Sequence, residues 1–432
     1  MRLFEIFLMV AITFSLINLI SIKNFKLKAL LSITSIGFST ISVIFEGFRL
    51  AMIPAYLLSI MLLLIFTIRT LRPNAKRRKI LNRIGVTFLI LIFALSIGLE
   101  ILLPVINLPK PTGSYFVGST RLAFTDFSRK GIITNTDEYR KVPVQIWYPA
   151  STIDNKKRLN WINNDAIESF SKCKRIPNIL GQLSLIKTNS YFDAELSSEE
   201  EKYPLIVFSG GSAMFNGQNV IQMEELASHG YIVCAVGHPY DDFACIYPDD
   251  SIVEYNQEHL SALGGEVNEA IALVKKEFGG DDADPAFGRN VLRNCKTNNA
   301  DVSIWSEDMV FVANELTKLN NSSNNIFKGK LDISKMGIFG HSFGGAAAGE
   351  ACLHDERFKG FINLDGSPFG TAVDNVIQQP FMVLTVGKDE KRIISSAYSE
   401  KQKNFTTVYI EGAEHMNFSD FNTILPNIGK AI

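Results

Sequence analysis

The sequence has 432 residues, of which 47% are hydrophobic and 20% charged, with a formal net charge of −1. A chain of this length can form one large α/β domain and a second region, and its balanced charge gives no reason to expect nucleic acid as a partner. Its five cysteines show neither a C-x-x-C motif nor metal-ligand spacing, although Cys245 and Cys295 could pair if their irregular region faces an oxidising compartment.

Apolar runs dominate the first hundred residues. Each is near or above the ~18–20 residues that a helix needs to cross a bilayer, and they are Leu3–Ile22, Ala29–Phe45, Leu50–Ile68 and Ile84–Leu108. The second run is rich in Ser and Thr and is compatible with a re-entrant segment. A cleavable signal peptide does not explain several consecutive runs. We therefore predict a transmembrane region of about four helices over residues 1–108.

Basic residues predict how this region is oriented. They are concentrated in two loops, after the first run at Lys23, Lys26 and Lys28, and after the third at Arg69, Arg72, Lys76, Arg77, Arg78, Lys79 and Arg83. If both loops are cytoplasmic, everything after Leu108 lies outside. We therefore expect a multi-pass protein of the cell membrane with an extracytoplasmic second domain, and interfacial positions for Glu5, Glu46 and Glu100.

The second domain, residues 109–432, begins with a Pro/Gly-rich hinge. Val142–Pro149 alternates in polarity and predicts an early strand, while Tyr203–Ser212 predicts a buried strand that runs into glycines. A helical stretch and a further strand, Tyr231–Val236, complete a βαβ unit with a parallel sheet. The glycines after Phe208 lie where an oxyanion donor is expected, so the N–H of Gly211 or Ser212 could supply it.

Residues 241–300 resemble an insertion, and insertions of this kind commonly form lids over active sites. Their acidic residues do not match the spacing of a calcium-binding loop, so we expect a solvated surface loop; these residues are Asp241, Asp242, Asp249, Asp250, Asp281, Asp282 and Asp284. Trp305–Leu319 then predicts an amphipathic helix.

The stretch Met336–Ala348 contains the strongest chemical signal. Gly340-His341-Ser342-Phe343-Gly344 fits G-x-S-x-G, in which a serine sits on a strained turn between a strand and a helix. Only glycine tolerates the close packing on either side. Ser342 is therefore the predicted nucleophile, and the amide of Phe343, at the start of the helix, would stabilise an oxyanion.

Three strands are predicted after this turn. Phe358–Asp365 and Pro380–Asp389 each end in an acid, and Thr406–His415 leads to a histidine. The order Ser, Asp, His is that of α/β hydrolases. We predict His415 as the base in preference to the other histidines of the chain, which are His229, His238, His259, His341 and His354. The local residues leave Asp365 and Asp389 as near-equal candidates for the acid.

Four segments resemble a known family. Pro111–Gly118, Tyr203–Gly210, Gly340–Gly345 and Glu414–Phe421 are similar to segments of the platelet-activating-factor acetylhydrolases of the plasma and type II kind and their bacterial lipase-like relatives. The last segment is the most specific, because a histidine followed by Asn-Phe-x-Asp-Phe is not a general hydrolase feature. The resemblance extends from about Pro111 to the C-terminus.

This resemblance implies an α/β-hydrolase fold, with a mostly parallel central sheet flanked by helices, preceded by the N-terminal helices. It implies Asp365 as the acid, with Asp389 in reserve, and a serine hydrolase that needs no metal, calcium or cofactor and acts on short or oxidised sn-2 acyl chains of phospholipids. Two features depart from the family: Gly210-Gly211 stands where His-Gly is usual, and membrane segments replace the familiar secretion or lipid anchoring.

We therefore expect a membrane-anchored serine esterase or lipase whose partners are the membrane and a lipid or small acyl-ester substrate. Two alternatives stay open at this point. One is an acyltransferase in which a membrane alcohol replaces water, and the other is a non-catalytic protein whose hydrolase fold serves as a binding module. The presence of Ser342, His415 and a candidate acid argues against the second alternative.

Overall fold

A computed structural model describes residues 2–21, 25–72, 79–134, 136–278, 284–386 and 397–425. The chain divides into two compact units. The first comprises residues 1–106, 177–186 and 424–432, and the second comprises residues 107–176 and 187–423. The first unit is helical and the second contains a large sheet.

Among its described residues, the first unit contains four long helices, namely α1 (Leu3–Ser21), α2 (Phe25–Glu46), α3 (Ile53–Leu71) and α4 (Lys79–Leu102). The second is a continuous helix of 22 residues. Its hydroxyl groups bond within the helix, as when Ser35 donates to the carbonyl of Leu31 at 2.9 Å. By length and composition, Leu50–Leu71 and Ile80–Leu102 could cross a membrane, whereas Leu3–Leu19 and Leu30–Glu46 are shorter apolar helices.

The helical unit is apolar on its surface as well as in its interior. Leu58, Leu62 and Phe66 are buried where the helices meet, yet Ile33 is 60% and Leu91 62% exposed. In water, so much exposed apolar surface would be unfavourable. Helices that are hydrophobic on all sides are typical of apolar surroundings.

Buried ion pairs connect separate chain segments at one end of this unit. Arg49, fully buried before α3, contacts Glu5 of α1 and Glu100 of α4 at 2.9 Å each. Glu46, at the end of α2, lies 3.9 Å from Arg2. The side chains of Glu5 and Glu100 are buried, and a carboxylate inside an apolar bundle requires a cation beside it, which Arg49 supplies; their interfacial positions stay a prediction.

The second unit contains thirteen strands and seven further helices among the described residues. The strands are β1 (Phe116–Lys130), β2 (Tyr139–Thr152), β3 (Arg158–Asn160), β4 (Lys187–Phe192), β5 (Glu195–Leu196), β6 (Tyr203–Ser209), β7 (Ile232–Val236), β8 (Ala244–Ile246), β9 (Ile252–Glu254), β10 (Leu331–His341), β11 (Phe358–Leu364), β12 (Phe381–Val386) and β13 (Phe405–Ile410). The helices are α5 (Asn164–Cys173), α6 (Val220–Ser228), α7 (Gln257–Phe278), α8 (Pro285–Asn294), α9 (Lys296–Asn321), α10 (Phe343–His354) and α11 (Phe421–Ile424).

In the described part of the chain, eleven strands form one mixed sheet in the order β13-β12-β11-β10-β6-β7-β2-β1-β4-β3, with β5 paired to β2. From β13 to β7 neighbouring strands run parallel, and the long hairpin of β1 and β2 extends the sheet with antiparallel pairs. The chain leaves β6 for β7 on one side and returns to β10 on the other. This reversal between β6 and β10 is the place where open α/β sheets bind ligands, at the carboxyl ends of the strands.

The structure confirms the predicted βαβ unit and the strands on both sides of the G-x-S-x-G turn. The predicted amphipathic helix is α9, but it begins nine residues before Trp305, inside the segment regarded as an insertion. The rest of that segment forms a two-stranded sheet of β8 and β9 followed by α7 and α8. The long strand β1 has no counterpart in the sequence prediction, because alternation along it is broken by polar residues.

Candidate active site

Ser342 lies between β10 and α10 with φ 56° and ψ −120°. The turn is possible because its neighbours lack side chains. A Cβ on Gly340 would lie 2.1 Å from the carbonyl oxygen of Gly344, and one on Gly344 would lie 2.2 Å from that of Gly210. The two motif glycines therefore let the end of β10 and the start of α10 pack directly on the backbone after β6, as the sequence predicts.

Asp365 follows β11 and also has a positive φ, 56°. The preceding Asn363 stabilises this turn, because its side chain accepts from the amide of Gly366 at 2.7 Å and donates to the carbonyl of Gly366 at 2.9 Å. A Cβ on Gly366 would lie 2.1 Å from the carbonyl oxygen of Ser342. The Asn-x-Asp-Gly sequence thus positions the carboxyl group next to the serine turn.

His415 and Asp365 form a hydrogen-bonded pair, with 2.6 Å between His415 Nδ1 and Asp365 Oδ2. The other oxygen of Asp365 accepts from Thr385 Oγ1 at 2.6 Å and from the amide of Val386 at 3.1 Å. Burial alone would raise the pKa of Asp365, but the hydrogen bonds from His415 and from the ends of β12 hold its pKa below the ordinary value. Asp365 is therefore a carboxylate that orients the imidazole.

The segment after β13 is fixed by the residues of the predicted family motif. Asn417 Oδ1 accepts from the amide of Glu414 at 2.6 Å and closes the short 3₁₀ turn His415–Phe418. Asp420 accepts from Trp161 Nε1 at 3.2 Å and from the amide of Ile221 at 3.3 Å. The acid of the motif therefore anchors the histidine segment to the start of α6.

The three candidate oxyanion donors differ in their surroundings. The amide of Phe343 is in the first turn of α10, where backbone N–H groups have no partner within the helix, and Phe343 and Ser212 both line the cavity described below. The amide of Gly211 instead donates to Gln218 Oε1 at 2.9 Å. Of the two alternatives after β6, Ser212 is therefore the better candidate.

Gln218 connects three parts of the site. It accepts from the amide of Gly211, and its Nε2 lies 2.9 Å from Nδ1 of His341. His341 Nε2 lies 3.1 Å from the carbonyl oxygen of His415. Burial and, to a smaller extent, the nearby His415 lower the pKa of His341 to about 3, so His341 is neutral, with Nδ1 accepting and Nε2 donating.

A cavity of about 350 Å³ opens onto these side chains. Ser342, Asp365 and His415 line it together with Phe343 and Ser212. A second group of lining residues comes from one side of α7, and consists of Leu263, Gly264, Val267, Asn268, Ala270 and Ile271. The predicted insertion therefore supplies a mostly apolar wall of the cavity.

The other histidines lie elsewhere. His229 is an exposed partner of Glu225, and His354 of Glu350. His238 lies 2.9 Å from Ser209 Oγ and 2.9 Å from Asp308 Oδ2, an arrangement that resembles a catalytic triad. All three of these side chains are fully buried and none lines the cavity. This second arrangement therefore serves packing, with Trp305 stacked on the ring of His238 at 3.8 Å.

Several other predicted residues have definite outcomes. Asp389, the reserve acid, lies outside the described residues, as do Asp281 and Asp282. Cys245 and Cys295 do not pair and are both buried free thiols. Asp241 and Asp242 were expected in a solvated loop and are instead buried. Within the described residues, His/Cys/Asp/Glu side chains close enough to hold a metal ion are Asp241, His259 and Asp301, none of which belongs to the Ser342 site.

A solved structure has a similar fold. The chain is similar to a ferulic acid esterase from Streptomyces cinnamoneus, with a TM-score of 0.56 and 21% identity over 75% of this chain and 82% of the esterase chain. At that level of identity the likeness concerns the fold. The sheet order and the serine turn at its switch point are accordingly those of an α/β hydrolase.

Sequence relatives are enzymes that hydrolyse esters. The chain is 27% identical to a platelet-activating factor acetylhydrolase of Canis lupus familiaris, over 73% of this chain and 68% of the relative. It is 28% identical to the enzyme of that name from Cavia porcellus, over 73% and 69%. It is 24% identical to a probable 1-alkyl-2-acetylglycerophosphocholine esterase of Arthroderma benhamiae, over 74% and 77%.

These findings identify the protein class as carboxylic ester hydrolase. The family model described as platelet-activating factor acetylhydrolase, isoform II, matches residues 102–432, and the chain belongs to that family. The resemblance predicted from the sequence is thereby confirmed, and the non-catalytic binding module is not retained.

The sequence did not single out Gln218, Asn363 or Thr385. All three make hydrogen bonds to side chains distant in sequence, namely those of His341, Tyr398 and Asp365. The sequence offered a local indication of these residues. Polar residues lie at or just after the ends of buried strands near the predicted site, and Gln218-Asn219 directly precedes α6.

Gly344→Ala is expected to lower kcat for ester hydrolysis by about 10²-fold or more, as when one oxyanion donor is lost, because the new Cβ displaces the backbone after β6. Gly349→Ala, on the same helix, is the matched control, since its Cβ would meet Phe361 at an ordinary 3.4 Å. Steady-state kinetics on purified variants measures both. Equal kcat values for the two variants would contradict the packing argument.

Proposed function

We propose that the protein is a membrane-anchored serine esterase in which Ser342, His415 and Asp365 act as nucleophile, base and acid. The observation that carries the proposal is the Asp365–His415 hydrogen bond of 2.6 Å on the cavity that Ser342 also lines. Because Nδ1 of His415 donates to Asp365, Nε2 is left to accept the proton of the Ser342 hydroxyl.

In this mechanism the Ser342 oxygen attacks the carbonyl carbon of a bound ester while His415 takes its proton. The negative charge that develops on the carbonyl oxygen is stabilised by the amides of Phe343 and Ser212. His415 then donates the proton to the leaving alcohol, and an acyl group stays on Ser342. Water, deprotonated by His415, releases the acid and restores the serine.

We further propose glycerophospholipid-like esters with a short acyl chain as substrates. The relatives carry the names platelet-activating factor acetylhydrolase and 1-alkyl-2-acetylglycerophosphocholine esterase. The cavity volume, about 350 Å³, lies near the lower end of the ~300–1,000 Å³ of typical ligand sites. Helix α7 would cover the acyl group as a lid.

The helical unit supports membrane attachment. Its outer surface is apolar, and two of its helices have the length and composition of membrane spans. The ion pairs of Arg49 bring the start of α1, the α2–α3 connection and the end of α4 to one end of the unit. We propose four spanning helices with this end outside, which would place the catalytic unit on the extracytoplasmic side.

Ser342→Ala and Asp365→Asn are each expected to lower kcat/KM for chromogenic acyl esters by at least about 10³-fold, because one removes the nucleophile and the other the correct imidazole tautomer. Asp389→Asn is the matched control and should retain activity. Loss of activity in Asp389→Asn, with Asp365→Asn active, would move the acid to the later strand. Products formed in the presence of added alcohol distinguish hydrolysis from acyl transfer.

Ile271→Ala should enlarge the cavity and raise the ratio of kcat/KM for octanoyl to that for acetyl esters by about tenfold. Leu273→Ala is the matched control on the same helix, since Leu273 is 52% exposed and does not line the cavity. An unchanged ratio in Ile271→Ala would mean that α7 does not contact the acyl chain.

Protease added to intact cells should digest the catalytic unit while a cytoplasmic marker survives, because the proposed topology places residues after 108 outside. An antibody against the catalytic unit measures the loss of full-length protein. Protection in intact cells combined with digestion after lysis would reverse the proposed orientation.

A further inference from the structure

Three side chains, two of them buried, form a group at the start of α7, the helix that lines the cavity of the Ser342 site. Asp241 is in the loop after β7, His259 is in the first turn of α7, and Asp301 is in α9. Nε2 of His259 lies 2.8 Å from Asp241 Oδ1 and 3.1 Å from Asp301 Oδ1. One ligand atom of each residue lies within 4.8 Å of the other two. The Asp241 side chain is fully buried, and that of Asp301 is 1% exposed.

Most of the carboxylate oxygens in this group lack hydrogen bonds. Within the described residues, neither oxygen of Asp241 nor Oδ2 of Asp301 has a hydrogen-bond partner. Nε2 of His259 forms a hydrogen bond with Asp301 Oδ1 at 3.1 Å, whereas its 2.8 Å contact with Asp241 Oδ1 lacks hydrogen-bond geometry. Buried carboxylate oxygens are ordinarily hydrogen-bonded, paired with a cation or bound to a metal.

The guanidinium groups of this region are committed elsewhere. Arg140 makes two hydrogen bonds of 2.7 Å to Asp308, and Arg129 contacts Asp308 at 2.8 Å. Asp242, next to Asp241, is also buried but accepts from the amide of His238 at 3.0 Å. Among the described residues, neither Arg140 nor Arg129 forms an ion pair with Asp241 or Asp301, which favours a further cation beside these two carboxyl groups.

We propose that Asp241, His259 and Asp301 bind one divalent transition-metal cation of the Zn²⁺ or Mn²⁺ type. An imidazole nitrogen with two carboxylates suits these ions, whereas Ca²⁺ prefers six to eight oxygen ligands. Zn²⁺ ligands at ~2.0–2.1 Å from the metal are about 3.3 Å apart in a tetrahedron. The separations of 2.8 and 3.1 Å from Nε2 of His259 lie within about 0.5 Å of this value, and the ligand atoms of Asp241 and Asp301 lie within 4.8 Å of each other.

The cation is a structural link and takes no part in the reaction at Ser342. It joins the start of α7, whose next turns line the cavity, to α9 and to the loop after β7. That loop also contacts the segment after β6 that contains Ser212, because the carbonyl of Asp241 accepts from the amide of Ala213. Binding would therefore hold the wall of the cavity in place, and the serine chemistry would stay independent of metal.

The test uses the full-length chain in detergent, freed of any affinity tag and stripped with a chelator. Metal content after loading with ZnCl₂, MnCl₂ or CaCl₂ is measured by elemental analysis, and the thermal midpoint by calorimetry. Visible absorption after Co²⁺ loading reports the ligand geometry. Asp301→Asn and His259→Gln are compared with His229→Gln, which changes an exposed histidine paired with Glu225.

We expect one Zn²⁺ or Mn²⁺ per chain, a raised thermal midpoint in the loaded protein, and affinity at least about tenfold weaker in Asp301→Asn and His259→Gln, with His229→Gln unchanged. Substoichiometric metal in the parent chain would overturn the proposal even if a variant failed to fold, as would equal binding by the parent and Asp301→Asn. A protonated His259 bonded to two carboxylates would then account for the cluster. None of these measurements requires ester hydrolysis.

Discussion

Direct contact between backbone segments around Ser342 is the constraint on which the rest of the site depends. No room exists for a Cβ at Gly340, Gly344 or Gly366, because each packs against a carbonyl group of a neighbouring segment. The segment after β6, the serine turn and the turn of Asp365 are therefore fixed relative to one another by main-chain geometry. Geometry that is fixed in this way does not depend on the rotamers of long side chains.

The histidine segment is held mostly by polar side chains, together with a backbone hydrogen bond from the amide of Asp420 to the carbonyl of Gln218 at 2.9 Å. Gln218 and His341 form a chain of hydrogen bonds from Gly211 to the carbonyl of His415. Asp420 anchors the other end of the segment to Trp161 and to α6. Since His341 is neutral, the network adds no charge that would compete with Asp365 for the imidazole.

Buried carboxyl groups recur in both units, and their partners differ. In the helical unit Glu5 and Glu100 share the guanidinium of Arg49. In the sheet unit Asp308 pairs with Arg140, whereas the oxygens of Asp241 have no hydrogen-bond partner among the described residues. Because leaving a buried charge without compensation is costly, these pairings fix where chain segments can lie.

The sequence by itself determined the parts that depend on local pattern: apolar helices at the N-terminus, a parallel sheet in the second domain, the strained Ser342 turn, and the order of serine, acid and histidine. Tertiary structure alone decided which groups meet across long separations. It placed Asp365 against His415, fifty residues away, committed the Gly211 amide to Gln218, and buried Asp241 and Glu5. Periodicity and turn residues report the conformation of residues that are neighbours in sequence. Contacts between distant residues depend instead on the order of the strands and on which face each helix presents. No short stretch of sequence contains that information.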